Sequence, residues 1–312
     1  MTADSPDLAL RHLADALRLA LGPMAVRERQ PLARHTALGI GGPADLLAVA
    51  HTADTLRQIV SLAWHHQVPC RVLGGGSNVL VSDRGVRGLV VLNRARAVSF
   101  VGTQVRAESG ALLTRVARQC VARGLAGLEW AAGIPGTVGG AMVGNAGAWG
   151  GEIASTLTRA TVLEAGPGVV EWPVERFGYG YRTSVLKQNP QSAVVLEAEF
   201  ALRMEERKGL EARLAEIAAR RKAAQPPGAS CGSVFKNPPG DYAGRLIEAA
   251  GLKGQRHGAA EISPLHANFI LNHGRATAAD VKALIDLARQ EVEARFGVVL
   301  ELEIELLGEW EK

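Results

Sequence analysis

Several things are scarce in this chain of 312 residues, and each scarcity removes a class of function. Only three cysteines occur, Cys70, Cys120 and Cys231, far apart and without a CxxC pair. Such a set builds neither a disulfide framework nor a zinc site, and a reducing cytoplasm is its natural compartment. Histidine does not supply a metal site either: His35, His257 and His273 lack ligand spacing, and His65-His66 read as solvated at a helix end. Aromatics are few, six Phe, five Trp and three Tyr, with no basic–aromatic interleaving, so no nucleic-acid surface is expected. No charge of one sign dominates: 35 Lys and Arg stand against 31 Asp and Glu, a net charge of +4 dispersed along the chain. That small excess suits anionic, phosphorylated ligands better than a polynucleotide. No window approaches the roughly 18 uncharged apolar residues of a membrane span. The opening stretch is broken by Asp7, Arg11, Asp15 and Arg18, the pattern of an amphipathic helix and not of a signal peptide. No repeat of about 20–50 residues is present. No Gly-Lys-Ser/Thr occurs, which excludes a Walker loop.

What is present is a globular chain. Hydrophobic residues make up 47 %, enough for a buried core, and the length suggests two domains at roughly 150 residues each. Spacing predicts helices over residues 7–21, 53–66, 109–123, 205–222 and 242–250, and a last one from Thr277 to Gly297. Thr277-Ala-Ala-Asp280 resembles a capping box with Asp in the Glu position. Strands are expected at CRVL (70–73), NVLVSD (78–83), GLVVL (88–92), 192–201, around Asn268–Asn272, and from Val298 to Leu306. In the last strand, alternation sets Val298, Leu300, Leu302, Ile304 and Leu306 against Glu301, Glu303 and Glu305. Gln225-Pro-Pro-Gly228 is the best candidate linker.

The 36 glycines cluster. Gly74, Gly75 and Gly76, followed by Ser77 and Asn78, come directly after a strand. Consecutive glycines let backbone N–H groups converge on a phosphate, but the same run also serves as a tight turn between strands. A strand follows, where a dinucleotide-binding Rossmann unit would have a helix. A second segment, Ala132 to Gly151, holds Gly133, Ile134, Gly136, Thr137, Gly139, Gly140, Gly144, Asn145 and Gly147. Two such segments either clamp the phosphates of a dinucleotide or mark a glycine-rich crossing between packed layers.

Here the sequence resembles a known family. LGGGSNVLVSD and GLEWAAGIPGTVGGAMVGNAGAWGGEI look like the FAD-binding domain of the UDP-N-acetylenolpyruvoylglucosamine reductases, flavoproteins of the vanillyl-alcohol-oxidase-like fold. The resemblance continues through FGYGYRTSVLK, CGSVFKNP and GLKGQRHGAAEISPLHANFILN into LELEIELLG, covering about residues 31–308. It implies an α/β (α+β) protein: a split FAD-binding domain over 31–205, with subdomains near 31–95 and 96–205, and a smaller C-terminal α/β substrate domain over 223–312. Residues 1–30 form a helical extension outside the resemblance, and 206–222 a connecting helix. It also implies a cytoplasmic enzyme of peptidoglycan precursor synthesis, with non-covalent FAD, NADPH as hydride donor and a UDP-linked enolpyruvyl amino sugar as substrate. The active site is expected where the two domains meet. Oligomeric state is not legible, and a monomer is the working expectation.

The resemblance gives three residues catalytic roles. Ser233 in Gly232-Ser-Val-Phe-Lys-Asn-Pro238 matches the proton donor, where the residues alone equally read as a turn serine. Cys231 is a rival acid by chemistry but lies off the motif position. Arg182, beside Tyr181, matches the arginine that polarises the substrate with paired donors; alone it is an arginine in a turn. Glu303 matches the catalytic glutamate, although alternation alone makes it part of a solvated acidic face. Glu301 and Glu305 are expected in solvent or salt bridges. The flavin contacts implied are the glycine-loop residues named above. The substrate contacts implied are Tyr181, Lys236, Asn237, Tyr242, Lys253 and His266, the histidine reading equally as a packed side chain. The short span from Tyr181 to Ser192 leaves no room for the tyrosine-bearing loop some relatives use to cover the substrate. Another flavin-dependent alcohol or hydroxy-acid oxidoreductase of the same fold, with its flavin often tethered through His or Cys, is the alternative.

Overall fold

The computed structural model describes residues 6–310, which divide into two compact units. The units are not contiguous in sequence. The first takes Asp45–Gly75 and Gly88–Ala219 together with the described residues before Gln30. The second takes Gln30–Ala44, Gly76–Arg87 and the chain from Arg220 onward. The bounds expected along the chain, 31–205 and 223–312, therefore cut differently from compactness: 30–44 and 76–87 belong with the C-terminal part, and the N-terminal helix belongs with the first unit.

The first unit begins with α1 (Pro6–Leu21), β1 (Val26–Pro31), β2 (Pro43–Ala50), α2 (Ala53–His65) and β3 (Cys70–Leu73). Two further strands, β4 (Val79–Val81) and β5 (Val86–Asn93), follow in the chain. β1, β2, β5 and β3 form a four-stranded sheet in that order, β3 and β5 parallel. Thr52 starts α2 by accepting from Thr55 N. Leu13, Ala14 and Leu17 of α1 are buried with Leu56, Ile59 and Val60 of α2 in one apolar cluster. The i, i+3, i+4 spacing read from the sequence is thus a packed face.

The second sheet is antiparallel throughout, its last strand in sequence lying between earlier ones. β6 (Val98–Val101) and β7 (Gln104–Glu108) lead to α3 (Leu113–Val121), β8 (Leu125–Ala126) and α4 (Val138–Val143). The short hairpin β9 (Gly147–Ala148) and β10 (Gly151–Glu152) then precedes β11 (Leu157–Glu164) and β12 (Gly168–Pro173). After α5 (Val185–Gln188) come β13 (Ala193–Ala201), β14 (Arg203–Met204) and the charged helix α6 (Arg207–Ala224). The sheet order is β12-β11-β13-β7-β6. Its core cluster joins Val105, Val162, Val195 and Phe200 to Val116 and Cys120 of α3 and Met142 of α4. α6 buries only Leu210. Polar bonds tie it down instead: Arg213 donates to Glu129 at 3.0 Å and Glu205 at 2.6 Å.

The second unit carries α7 (Ala243–Ala249), the small antiparallel sheet of β15 (Arg256–His257), β16 (Ala260–Ile262) and β17 (Ile270–Asn272), then α8 (Ala278–Phe296) and β18 (Glu305–Leu307). The box at the start of α8 forms reciprocally: Asp280 N donates to Thr277 Oγ1 at 3.0 Å and Thr277 N to Asp280 Oδ2 at 2.9 Å. Asp83 adds a second cap, accepting from Ala278 N and Ala279 N at 2.9 and 3.0 Å. Gly297, at φ +66°, ends the helix. β18 pairs in parallel with β4.

One strand differs from expectation. Val298 to Leu306 does not form a continuous strand: only Glu305–Leu307 does, with an isolated bridge between Leu302 and Phe235. The cause is a change of partner. Glu303 N and Ile304 N both donate to Val234 O, at 2.9 and 3.4 Å, and Glu305 N donates to Asn78 O at 2.9 Å. The backbone bends at 303–304 to reach the second partner, which breaks a regular ladder. Leu300 and Ile304 are buried and Glu301 exposed, as the alternation sets them, but past the bend Leu307 is buried in place of Leu306.

Candidate active site

In the first unit the two glycine-rich segments meet. A Cβ on Gly74 would strike the Thr137 side chain, and one on Gly75 would stand 2.9 Å from the Gly136 Cα. Neither position admits a side chain without moving the loop. The second segment is fixed from behind by Leu113 N to Gly136 O at 3.1 Å, Val138 N to Ala111 O at 2.9 Å and Gly139 N to Ser109 O at 2.8 Å. Thr114 Oγ1 donates to Ile134 O at 2.7 Å, and Thr137 accepts from Gly140 N at 3.4 Å. Arg94, which sequence reading passes over, donates from Nη1 to Gly74 O at 2.6 Å. A trans peptide points its C=O and the following N–H in opposite directions, so holding Gly74 O turns Gly75 N–H away from Arg94. Gly75, Gly133 and Gly140 are exposed. Exposed backbone without side chains, in two segments in contact, is what the diphosphate of a dinucleotide requires, and these residues fit FAD. Gly76, by contrast, is buried in the second unit, where a Cβ would strike His35 O.

Arg182 is held on the same unit. Its Nη2 donates to Gly147 O at 2.6 Å and its Nη1 to Asn145 O at 3.4 Å. Tyr181 is 53 % exposed, and its ring centre lies 5.5 Å from the guanidinium carbon. Gly144 ends α4, its N–H reaching Gly140 O. Asn145 commits its side-chain amide to backbone at Gly180 and Ala154.

In the second unit backbone pairing brings Ser233 and Glu303 into adjacent stretches, since Val234 O accepts Glu303 N. Lys236 N to Glu301 O at 2.9 Å continues the pairing. Ser233 is half-buried, following Gly232 at φ +79°. Asn78, expected at the flavin, donates from Nδ2 to Glu303 O at 3.2 Å. Asn268 stands in a motif of the resemblance without a role assigned to it, yet it clips the loop: 3 % exposed, it accepts from Phe235 N at 2.9 Å and donates to Phe235 O at 2.8 Å. Cys231 is fully buried, and burial pushes its thiol up to about 12; enclosure, not acidity, separates it from the half-buried Ser233.

Comparison with known proteins settles the family. A profile of the UDP-N-acetylenolpyruvoylglucosamine reductase C-terminal domain matches residues 223–307, and one of the FAD binding domain matches 44–171. The UDP-N-acetylenolpyruvoylglucosamine reductase of Chloroflexus aggregans is 47 % identical over 91 % of this chain and 98 % of its own length. This chain belongs to the UDP-N-acetylenolpyruvoylglucosamine reductases. The Rubrobacter xylanophilus reductase is likewise 47 % identical, over 91 % of this chain and 96 % of its own. The crystal structure of the Thermus caldophilus reductase matches with a TM-score of 0.78 at 38 % identity, covering 90 % of this chain and 99 % of that one. A glucose dehydrogenase, Phl p 4.0202, matches 63 % of this chain and 44 % of its own at TM-score 0.50 and 16 % identity, a likeness of fold alone.

The substrate contacts implied by the reductase resemblance all lie in the second unit except Tyr181. Lys236 pairs with Glu301 at 3.2 Å, and Glu301 is otherwise in solvent, as expected. Lys253 pairs with Glu248 at 2.8 Å. Asn237 accepts from Ala243 N at 3.1 Å at the start of α7, where Tyr242 is 68 % exposed. For His266 the packed side chain is what the structure shows. Its ring packs edge-on against Phe269 at 4.9 Å, and its Nδ1 accepts from Asn268 N at 3.2 Å. Burial pulls its pKa below the ordinary value, which favours the neutral ring, and with Nδ1 accepting, the proton sits on Nε2. Among the described residues no helix is long and apolar enough to cross a membrane.

Proposed function

We propose that this chain reduces UDP-N-acetylglucosamine enolpyruvate to UDP-N-acetylmuramate with NADPH, through FAD held at the paired glycine segments. The observation that carries the flavin site is the approach of Gly75 to Gly136, which leaves room for backbone alone. Gly74, Gly75 and the segment Gly133–Gly140 would hold the diphosphate, with Arg94 fixing the first loop. FAD bound there would supply the hydride chemistry that links NADPH to the enolpyruvyl double bond.

The protein's own work is orientation, polarisation and proton delivery. Arg182, its guanidinium plane fixed on two carbonyls, grips the substrate carboxylate and draws negative charge toward itself as the double bond is reduced. Ser233 gives its hydroxyl proton to the resulting enolate. A hydroxyl is a weak acid, but an enolate is a strong base. Glu303, tied by its backbone to the residue after Ser233, assists the protonation. Lys236, Asn237, Tyr242, Lys253 and His266 serve the sugar nucleotide, whose phosphates need cations and donors. Three unpaired cysteines and a reaction that consumes NADPH and a UDP-sugar favour the cytoplasm as its place.

The Ser233→Ala variant tests the assignment. Stopped-flow absorbance should show flavin reduction by NADPH close to the unmodified rate, and reoxidation by the enolpyruvyl sugar slowed by about 10²–10⁴-fold. Equal slowing of both half-reactions would contradict the role of Ser233. A purified protein without flavin absorbance would contradict the whole reading.

A further inference from the structure

Three residues other than glycine in or near the flavin segments have left-handed backbone, Asn145 at φ +43°, Trp149 at φ +53° and Arg182 at φ +54°, and of these Asn145 and Arg182 bear on each other. Such conformations persist only where the surroundings enforce them. Here the enforcing bonds are shared between the two. Asn145 is 1 % exposed. Its Nδ2 donates to Gly180 O and its Oδ1 accepts from Ala154 N, each at 3.1 Å. Its own carbonyl accepts from Arg182 Nη1 at 3.4 Å. Gly180 and Thr183 exchange backbone bonds at 3.2 and 3.3 Å, so Tyr181 and Arg182 form the tip of a tight turn. Asn145 therefore grips that turn at its base, through Gly180, and at its tip, through the guanidinium.

We propose that Asn145 is the positioning residue of Arg182, setting the direction in which the guanidinium meets the substrate carboxylate. This rests on the reading of Arg182 given above. It differs from the flavin contact that the resemblance implies for Asn145, because both ends of the amide are committed to backbone. The residue type follows from the geometry. The position needs a donor and an acceptor on one short side chain, and tolerance of left-handed backbone. Ionised aspartate keeps the acceptor toward Ala154 but turns a second negative oxygen on the Gly180 carbonyl. Protonated aspartate restores the donor.

The experiment uses FAD-loaded Asn145→Asp and Asn145→Gly, the second retaining freedom for left-handed backbone without the amide. Stopped-flow should show the reoxidation by UDP-N-acetylglucosamine enolpyruvate slowed at least tenfold more than the reduction by NADPH. Calorimetric titration with the same sugar should show binding weakened at least fivefold. Asn145→Asp should regain part of both losses as pH is lowered and its carboxyl takes up a proton, a rise the unmodified protein does not show. Asn145→Gly combined with Arg182→Ala should be no slower than Arg182→Ala alone, as for two residues acting through one group. Equal loss in both half-reactions, losses that multiply in the double variant, or failure of both single variants to fold with flavin would each overturn the proposal. An Arg182→Ala variant with unimpaired reoxidation would instead overturn the role of Arg182, and the proposal with it, so the two failures are distinguishable.

Discussion

Ser233 and Cys231 lie two residues apart, and their environments divide the chemistry between them. Cys231 is enclosed, and burial pushes both it and Cys120 up to about 12. At pH 8 about one thiol in 10⁴ would be ionised at such a value. Iodoacetamide at pH 8 should therefore leave Cys120 and Cys231 unmodified in the native protein and alkylate both after unfolding, as read by peptide mass. Native alkylation of Cys231 would show that it is accessible and would reopen it as a rival acid. The residue scale was legible where a motif fixed a position. The resemblance singles out Ser233, Arg182 and Glu303 in that way, one by one, and the variants above test the proposed roles of Ser233 and Arg182. Arg94 and Asn268 were not reached. Arg94 acts through a backbone carbonyl, Gly74 O, and a lone arginine after a strand gives no sign of that in sequence. Asn268 stands in an apolar run, His266-Ala-Asn-Phe-Ile, where only the fold reveals which backbone its amide meets.

At the scale of elements, α1, α2, α3, α6, α7 and α8 announced themselves through caps and spacing, while the short α4, inside the glycine-rich segment, and α5 did not. α8 is the best case: Thr277, Asp280 and Gly297 were readable as start and stop, and the burial of Val281, Leu284, Ile285 and Ala288 follows the expected face. What could not be read is Asp83, which caps the same helix from almost two hundred residues away. The last strand was over-read for a related reason. Periodicity reports which side chains are buried, but a ladder needs one partner throughout, and the chain changes partner at 303–304. That junction depends on the Phe235 stretch being held by Asn268. Asn268→Ala leaves a buried N–H and C=O of Phe235 without that partner, so urea unfolding should show a loss of about 1–3 kcal/mol. Unchanged stability would mean that the loop has other support.

For the whole molecule, the two family profiles give a simple order, flavin domain then C-terminal domain, which compactness does not follow. β4 reads as one more strand of the flavin half because its neighbours in sequence belong there. Its parallel partner is β18, more than two hundred residues later, and no local pattern encodes so distant a pairing. Leu38, Ile40 and Leu80 sit in the same apolar cluster as Phe235, Leu246 and Val281. A fragment of residues 220–312 produced alone would lack those three side chains and the strand that β18 pairs with. It should show no cooperative thermal transition by circular dichroism, and a sharp transition would count against this account of the unit's core. The same arrangement imposes a delay during synthesis. At about 5–20 residues per second, β4 leaves the ribosome at least 10 s before β18 exists to join it. During that interval Leu80 and the strand edge beside it stand open to other nascent chains, and a chaperone that shelters short apolar strands would have its natural client here.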